Sequence, residues 1–186
     1  MKKITVISDT HGNIGALEKL LPVMKESDYV FHLGDYNKDI ELYRKELGDK
    51  IYSVLGNCDG GGNDCVIEID GVKILLTHGD RYGVKQSNYK LSLRAKELGV
   101  SVVFYGHTHV AEIETVDGVY LINPGCMTRY SQNTYCYTVI YDNKIVPKIV
   151  PLIINLHPIS SVSCTMTESL SRWRVSNTMT RVNSSS

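Results

Sequence analysis

The 186-residue sequence predicts an α/β fold, a four-layer sandwich in which two mixed β-sheets pack face to face between outer helices. The first half alternates short apolar strands with amphipathic helices, the pattern of parallel β-α-β units. The second half is rich in hairpins, because apolar runs flank two-residue turn signals such as Asp70-Gly71. We expect one domain over 1–154. The Ser/Thr-rich tail over 155–186 is expected to be a poorly packed appendage or a segment not native to the fold.

The first half begins with a strand of β-branched residues and continues with two helix–strand units. In order, the predicted elements are strand 3–7, helix 14–26, strand 29–33, helix 38–47 and strand 51–55. Pro22 lies inside the first helical stripe, so we expect it to kink or divide that helix. Gly48 follows the second stripe and is expected to end the helix.

The second half combines three hairpins with one helix–strand unit. In order, the predicted elements are strands 65–69 and 72–77, helix 86–98, strand 100–105, strands 111–116 and 119–123, and strands 135–141 and 145–150. Gly99 is expected to end the helix. Because the turn sequences fix only hairpin partners, the pairing of distant strands is left open.

Composition excludes several classes of protein. Twenty Lys and Arg balance twenty Asp and Glu, so the protein does not have the excess of positive charge needed to coat nucleic acid or an anionic membrane. A small anionic substrate at a local cationic site remains compatible with this balance. The apolar stretch after the N-terminus is shorter than a signal-peptide core, and the five cysteines form no C-x-x-C pair. We therefore expect a cytoplasmic protein without a membrane segment.

Potential metal ligands follow the predicted strands. The segments are Asp9-Thr10-His11, Gly34-Asp35, Gly56-Asn57-Cys58-Asp59, Thr77-His78-Gly79 and Gly106-His107-Thr108-His109. Loops at the carboxyl ends of strands in α/β sheets converge on one crevice, so these side chains can meet. In an extended segment residues i and i+2 point the same way, which predicts that Asp9 and His11 address one metal and that His107 and His109 share a site.

The ligand types indicate the kind of metal. Two carboxylates, one amide and four imidazoles form an oxygen and nitrogen donor set, which suits Mn, Fe, Ni or Zn better than Ca or Mg. Seven ligands are too many for one tetrahedral site. They suit two ions about 3.5–4 Å apart that share a bridging carboxylate.

The motif order D-x-H, GD, GN-[H/C]-D, a single His and G-H-x-H resembles that of calcineurin-like metallophosphoesterases. Cys58 and the Asn123-Pro124-Gly125 segment make the sequence similar to the small prokaryotic YfcE-type phosphodiesterases, over about residues 1–154. The resemblance implies two metal sites linked by Asp35. One would consist of Asp9, His11, Asp35 and His109, and the other of Asp35, Asn57, His78 and His107.

The resemblance also implies an activity. A hydroxide that bridges two divalent ions, with Mn²⁺ as the expected metal, would attack a small phosphodiester. The same site could instead hydrolyse phosphomonoesters. The fold could also serve as a non-catalytic metal-binding scaffold, as in the retromer scaffold subunit of eukaryotes. All seven ligand positions are filled, which favours catalysis. A homodimer is the expectation from base rates.

Other residues near the motifs have expected roles. Cys58 stands where most of the superfamily has a general-acid histidine, and a thiol with a pKa of about 8.5 is poorly matched to that task near neutral pH. Asp59 is expected to support its loop by hydrogen bonds. Arg81 and Arg129 are candidate phosphate contacts, and His32 is expected to lie in the core rather than to bind metal.

Overall fold

The computed structural model describes residues 1–62 and 64–153, so the predicted tail over 155–186 lies outside the described residues. The helices are α1 (Ile14–Glu26), α2 (Asn37–Glu41), α3 (Arg44–Leu47) and α4 (Tyr89–Leu98). The strands are β1 (Lys2–Ile7), β2 (Tyr29–His32), β3 (Ile51–Ser53), β4 (Cys65–Ile69), β5 (Val72–Leu76), β6 (Val102–Phe104), β7 (Ala111–Val116), β8 (Val119–Pro124), β9 (Thr134–Tyr141) and β10 (Lys144–Pro151). Among these residues, no helix is long and apolar enough to cross a membrane.

The strands form two mixed five-stranded sheets. The first has the order β10-β9-β1-β2-β3, with β1, β2 and β3 parallel and the β9–β10 hairpin antiparallel to β1. The second has the order β4-β5-β6-β8-β7, in which β5, β6 and β8 are parallel. All three predicted hairpins are present, and Asp70 and Gly71 both have positive φ, as a tight two-residue turn requires.

Three apolar clusters confirm the four-layer sandwich. The central cluster lies between the sheets, where the rings of Phe31 and Phe104 are 5.8 Å apart. A second cluster joins α1, α2 and α3 to the outer face of the first sheet through residues such as Leu17. A third joins α4 to the outer face of the second sheet, where Leu91 packs with Leu75. Burial of these apolar faces is the main stabilising contribution to the fold.

Two details of the helices differ from the prediction. Pro22 does not divide α1, which runs unbroken from Ile14 to Glu26. Pro22 and Glu18 are both exposed, so water can solvate the Glu18 carbonyl that loses its partner. The helix predicted over 38–47 is instead two short segments, α2 and α3. Each is too short to persist alone, and tertiary packing in the second cluster holds both in place.

Backbone hydrogen bonds tie the strand ends together at one edge of the sandwich. The amide of Asp9, after β1, donates to the Gly34 carbonyl after β2 at 3.0 Å. In the second sheet, the amide of Gly106 donates to the His78 carbonyl at 3.0 Å. The Met127 amide donates to the Asp9 carbonyl at 3.2 Å and joins the loop after β8 to this edge. The loops that carry the predicted ligands are therefore fixed to one another.

Candidate metal centre

The ligand loops are held in an unusual backbone conformation. Six of their non-glycine residues have positive φ: Asp9, His11, Asp35, Tyr36, His107 and His109. This left-handed region costs roughly 1–2 kcal/mol for a residue with a Cβ and persists only where the surroundings enforce it. The expectation that Asp9 and His11 share a direction because their segment is extended is therefore wrong. Their side chains still meet, because a tight turn brings them together.

Four of the predicted ligands form one compact group. Asp9, His11, Asp35 and His109 each offer a ligand atom, and these atoms all lie within 4.8 Å of one another. The His109 Nε2 is 3.1 Å from Asp9 Oδ1, and the His11 Nε2 is 3.5 Å from Asp35 Oδ2. Asp9 is fully buried, so its carboxylate is shielded from bulk water. We call these four residues the first ligand group.

Two atoms of the first ligand group lack partners. Within the described residues, Asp9 Oδ1 and His11 Nε2 are buried and make no hydrogen bond of acceptable geometry. An unsatisfied buried polar atom costs about 1–3 kcal/mol, so it signals a partner that the protein chain does not supply. A carboxylate oxygen and an imidazole nitrogen are both ligands for first-row divalent ions. The residues present therefore fit a metal ion.

The three remaining predicted ligands form a second ligand group together with Asp35, so that this group consists of Asp35, Asn57, His78 and His107. The His78 Nε2 is 3.1 Å from Asn57 Oδ1, 3.2 Å from His107 Nδ1 and 3.5 Å from Asp35 Oδ1. Two atoms about 2.1 Å from one ion lie roughly 3.0–3.4 Å apart at octahedral or tetrahedral angles. Each of the three distances, all measured from His78 Nε2, is close to the separation of two ligands of one ion.

The hydrogen bond of His78 to the backbone leaves its other ring nitrogen available to a metal ion. Its Nδ1 lies 2.8 Å from the Leu33 carbonyl, which can only accept, so Nδ1 donates. In the neutral ring, Nε2 then carries a lone pair that faces the oxygens of Asn57 and Asp35. Lone pairs that face one another repel unless positive charge lies among them. A hydrogen bond from the other ring nitrogen to a carbonyl is also the usual support of a metal-bound histidine.

Asp35 connects the two groups. Its Oδ2 is 3.5 Å from His11 in the first group, and its Oδ1 is 3.5 Å from His78 in the second. The Cys58 amide donates to Oδ1 at 2.8 Å and fixes the carboxylate in this position. The histidines of the G-H-x-H segment divide between the groups, since His109 contacts Asp9 whereas His107 contacts His78. The shared site of His107 and His109 stays a prediction, in which each histidine would belong to a different ligand group.

Local charges set the protonation of the first group. Burial alone would raise the pKa of Asp9, but the close His109 imidazole and the hydrogen bond from Ser8 outweigh it and hold the pKa below its ordinary value. The same contact with Asp9 raises the pKa of His109 above its ordinary value. Asp9 is therefore ionised over the whole neutral range. A metal ion at this position competes with a proton on His109, so its binding weakens as pH falls.

A buried network that the sequence did not reveal supports the loop after β1. The Asp39 carboxylate, on α2, accepts hydrogen bonds from the Thr10 hydroxyl at 2.8 Å and the Gly12 amide at 2.7 Å. His32 lies behind Thr10 with its Nε2 3.3 Å from that hydroxyl, and it is fully buried. His32 lies in the core, as its alternation with apolar neighbours predicts. Nothing in the sequence around Asp39 distinguishes it from an exposed helical aspartate.

The buried His32 predicts an acid-sensitive fold. Burial lowers the pKa of His32 from 6.5 to about 4, although the carboxylates of Asp9, Asp39 and Asp59 partly oppose the shift. The folded pKa lies below the unfolded one, so the stabilisation is complete above about pH 6.5 and is lost as pH falls towards 4. We expect this group to remove roughly 3 kcal/mol of unfolding free energy from metal-free protein over that window.

Urea unfolding of the wild type and His32→Gln at pH 7 and pH 4.5 measures this contribution. The variant should lose clearly less stability on acidification, because its amide does not titrate. An equal loss in both proteins would exclude His32 as the acid-sensitive group.

The other predicted residues lie around the two groups. Asp59 supports its loop as expected, since its oxygens accept from the Asn37 amide at 2.9 Å and the Gly56 amide at 3.0 Å. The Arg81 guanidinium is paired with Asp64 at 2.9 Å. Arg129 donates to the Gly12 carbonyl at 3.2 Å, next to the first ligand group. The phosphate contacts of both arginines stay predictions. Because the charge of Arg81 is already paired with Asp64, Arg129 is the better candidate to bind a phosphate.

Comparison with known proteins gives the family. Residues 1–144 match the calcineurin-like phosphoesterase superfamily domain, so the chain belongs to that superfamily, as its motifs predict. The probable metallophosphoesterase YsnB of Bacillus subtilis is 36% identical over 130 residues, which cover 66% of this chain and 73% of the relative. A phosphodiesterase of Methanocaldococcus jannaschii is 31% identical over 143 residues, with coverages of 66% and 82%. The phosphodiesterase YfcE of Escherichia coli is 26% identical over 155 residues, with coverages of 69% and 80%.

Solved structures confirm the fold. A conserved protein of Streptococcus pneumoniae, described as a predicted phosphoesterase, superposes with a TM-score of 0.67 at 28% identity. The alignment covers 81% of this chain and 89% of that one. Vps29 of Entamoeba histolytica superposes with a TM-score of 0.63 at 21% identity, over 80% of this chain and 98% of its own. At that identity the likeness concerns the fold alone.

Proposed function

We propose that this protein is a metal-dependent phosphodiesterase with a dinuclear centre. The first ligand group would hold one divalent ion, the second would hold the other, and Asp35 would contribute to both. The observation that carries the proposal is the position of the Asp35 carboxylate, whose two oxygens each lie 3.5 Å from a histidine of a different group. Phosphodiesterases among the relatives of this chain support the same reaction class.

The charge of the centre favours an anionic substrate. Asp9 and Asp35 are its only carboxylates among the proposed ligands, so two divalent ions would leave a net charge of about +2. This local charge accounts for phosphate binding by a chain with no net charge. Bound divalent ions supply electrostatic stabilisation of the transition state and lower the pKa of bound water towards ~7. The oxygen and nitrogen donors suit Mn²⁺, with Ni²⁺, Fe²⁺ and Zn²⁺ as alternatives.

The chain's own residues position the reaction. The Leu33 carbonyl fixes the His78 ring and directs its Nε2 into the second ligand group. Asp39 holds the turn that carries Asp9 and His11. Asn57 would bind through a neutral amide, which adds no negative charge, so the positive charge of the bound metal ions stays available to the substrate. Pre-organisation of this kind removes the cost of arranging charged groups during the reaction.

Hydrolysis of two chromogenic esters tests the proposed substrate class. Metal-stripped protein is supplied with Mn²⁺, and the rates on bis-p-nitrophenyl phosphate and p-nitrophenyl phosphate are compared. A higher kcat/KM on the diester, dependent on metal, is the expected result. A preference for the monoester would replace the proposal with a phosphomonoesterase. Metal binding without turnover of either ester would favour a scaffold of the same fold.

Cys58 predicts a dependence on the leaving group. The thiol is exposed beside Asn57, and its partial desolvation and then the Asp35 carboxylate raise the pKa of Cys58 above the ordinary value. A thiol is in any case a poorer match than an imidazolium to general acid catalysis near neutral pH. Cys58→His should raise kcat/KM on diesters with alkoxide leaving groups by about tenfold or more, the scale of general acid catalysis. Aryl diesters need little protonation and should change much less.

Parallel assays of a methyl and a p-nitrophenyl diester check this prediction, and Cys58→Ser is the control because it restores no acid. Equal gains on both esters would show that Cys58 does not limit proton transfer.

A further inference from the structure

An open cleft of about 290 Å³ adjoins the two ligand groups. The residues that line it are Tyr36, Lys38, Cys58 and Asp59. Tyr36 directly follows Asp35, and Cys58 directly follows Asn57, so the cleft opens beside the proposed metals. Sites that enclose a whole drug-sized ligand begin at about 300 Å³ and are usually less open. This cleft has room for one substituent of a phosphodiester.

Tyr36 connects the cleft to the first ligand group. Its ring centroid is 5.1 Å from that of His11, and the Lys38 Nζ is 5.2 Å from the same tyrosine ring. Tyr36 has φ 67° and ψ 48°, a left-handed conformation that is a genuine outlier for a bulky side chain. The strained backbone turns the ring against His11. The two contacts keep the ammonium within about 10 Å of the His11 ring, close to the Debye length at 0.1 M salt.

The charges in the cleft favour an anion. Lys38 forms no salt bridge with any carboxylate in the described part of the chain, in contrast to Lys25, Lys96 and Arg81. The cleft has one carboxylate, that of Asp59, and both of its oxygens already accept backbone amides. The ammonium of Lys38 therefore remains available to a ligand, and Tyr36 holds it there by a cation–π contact.

We propose that this cleft is an anion subsite, in which Lys38 binds a second negatively charged group on the substrate. The inference rests on the proposed function and narrows its substrate class to phosphodiesters whose substituent bears a further phosphate or carboxylate. Such a group would lie near the scissile phosphate and face both Lys38 and the positive charge of the metals. Tyr36 is a positioning residue, since it acts by holding the ammonium.

Two nucleotide esters with the same leaving group test the subsite. Thymidine 5′-(p-nitrophenyl phosphate) has no second anion, whereas its 3′-phosphorylated form differs from it only by that group. The wild type should have a kcat/KM about tenfold higher for the 3′-phosphorylated ester, the size expected for one charge-assisted contact. Lys38→Gln should reduce this preference to about twofold or less. Lys19→Gln, an exposed lysine on α1, is the matched control and should keep the preference.

The outcomes separate this inference from the proposed function. Turnover of both esters with no preference, or a preference that Lys38→Gln leaves intact, would overturn the subsite and leave the phosphodiesterase proposal standing. Turnover of neither ester, together with no hydrolysis of bis-p-nitrophenyl phosphate, would overturn the phosphodiesterase proposal. Equilibrium dialysis of metal-loaded protein with thymidine 3′,5′-bisphosphate and thymidine 5′-phosphate then still tests the cleft. The subsite is supported if the wild type binds the bisphosphate more tightly than the monophosphate and Lys38→Gln does not. Equal affinity of the wild type for the two nucleotides would exclude the subsite.

Discussion

Replacement of His78 by alanine should reduce metal-dependent diester hydrolysis by more than about 100-fold, because even the outer partners of metal ligands cost 10–100-fold when removed. His78 lies within 3.5 Å of Asn57, His107 and Asp35, so its loss opens the second ligand group. Asn57→Ala should have a similar effect for the same reason. The measurement is kcat/KM on bis-p-nitrophenyl phosphate together with the metal content of each variant.

The two variants differ in their effect on folding. His78 is buried and bonded to the Leu33 carbonyl, so its removal should cost about 1–3 kcal/mol of stability. Asn57 is exposed, so its variant should unfold at nearly the wild-type temperature. His157→Ala, a histidine that is assigned to neither group, is the control. Activity retained by Asn57→Ala with full metal content would remove that residue from the site.

Gly106→Ala should impair both the fold and the reaction. A Cβ at this position would collide with Ser8 Oγ and lie 2.8 Å from Asp9 Oδ2. Both neighbours are fully buried, and the Ser8 hydroxyl donates to the Asp9 carboxylate, so neither can move aside without disturbing the first ligand group. Overpacking of this kind costs about 1–3 kcal/mol, and a ligand displaced by 1 Å costs about 100-fold in rate.

Gly15→Ala is the matched control for this substitution. Gly15 lies in α1 with negative φ, and nothing lies within 4 Å of the position of its Cβ. Because alanine is the better helix former, this variant should gain about 0.5–1 kcal/mol and keep its activity. Urea unfolding and diester hydrolysis of both variants make the comparison. A Gly106→Ala protein with wild-type stability and rate would contradict the close packing beneath the site.

The sequence predicts the architecture well because its local signals are strong. Two-residue turns such as Asp70-Gly71 determine their hairpins through backbone preference alone. The helix boundary at Gly99 follows equally from a local cause, since its φ of 61° favours glycine. The break between α2 and α3 has no such signal, because tertiary packing decides it.

The sequence predicts which residues lie close together in the candidate site but not their geometry, and their role as metal ligands stays a prediction. The seven ligand residues come together because their loops follow strands at one edge of the sandwich. Asp9 and His11 do not lie in an extended segment, because both residues have a left-handed backbone that only the folded surroundings enforce. Asp39 and Tyr36 belong to no motif, and the partner that engages Arg81 is 17 residues away in sequence. Contacts of this kind depend on tertiary structure, so the spacing of residues in the sequence does not predict them.

A metal titration of activity tests whether the centre is dinuclear. Metal-stripped protein receives Mn²⁺ in increments, and bound metal and bis-p-nitrophenyl phosphate hydrolysis are recorded at each step. The dinuclear account predicts that hydrolysis rises until two equivalents are bound and that His78→Ala protein binds fewer and hydrolyses none. Full activity at one equivalent, or two bound equivalents without any hydrolysis, would contradict it.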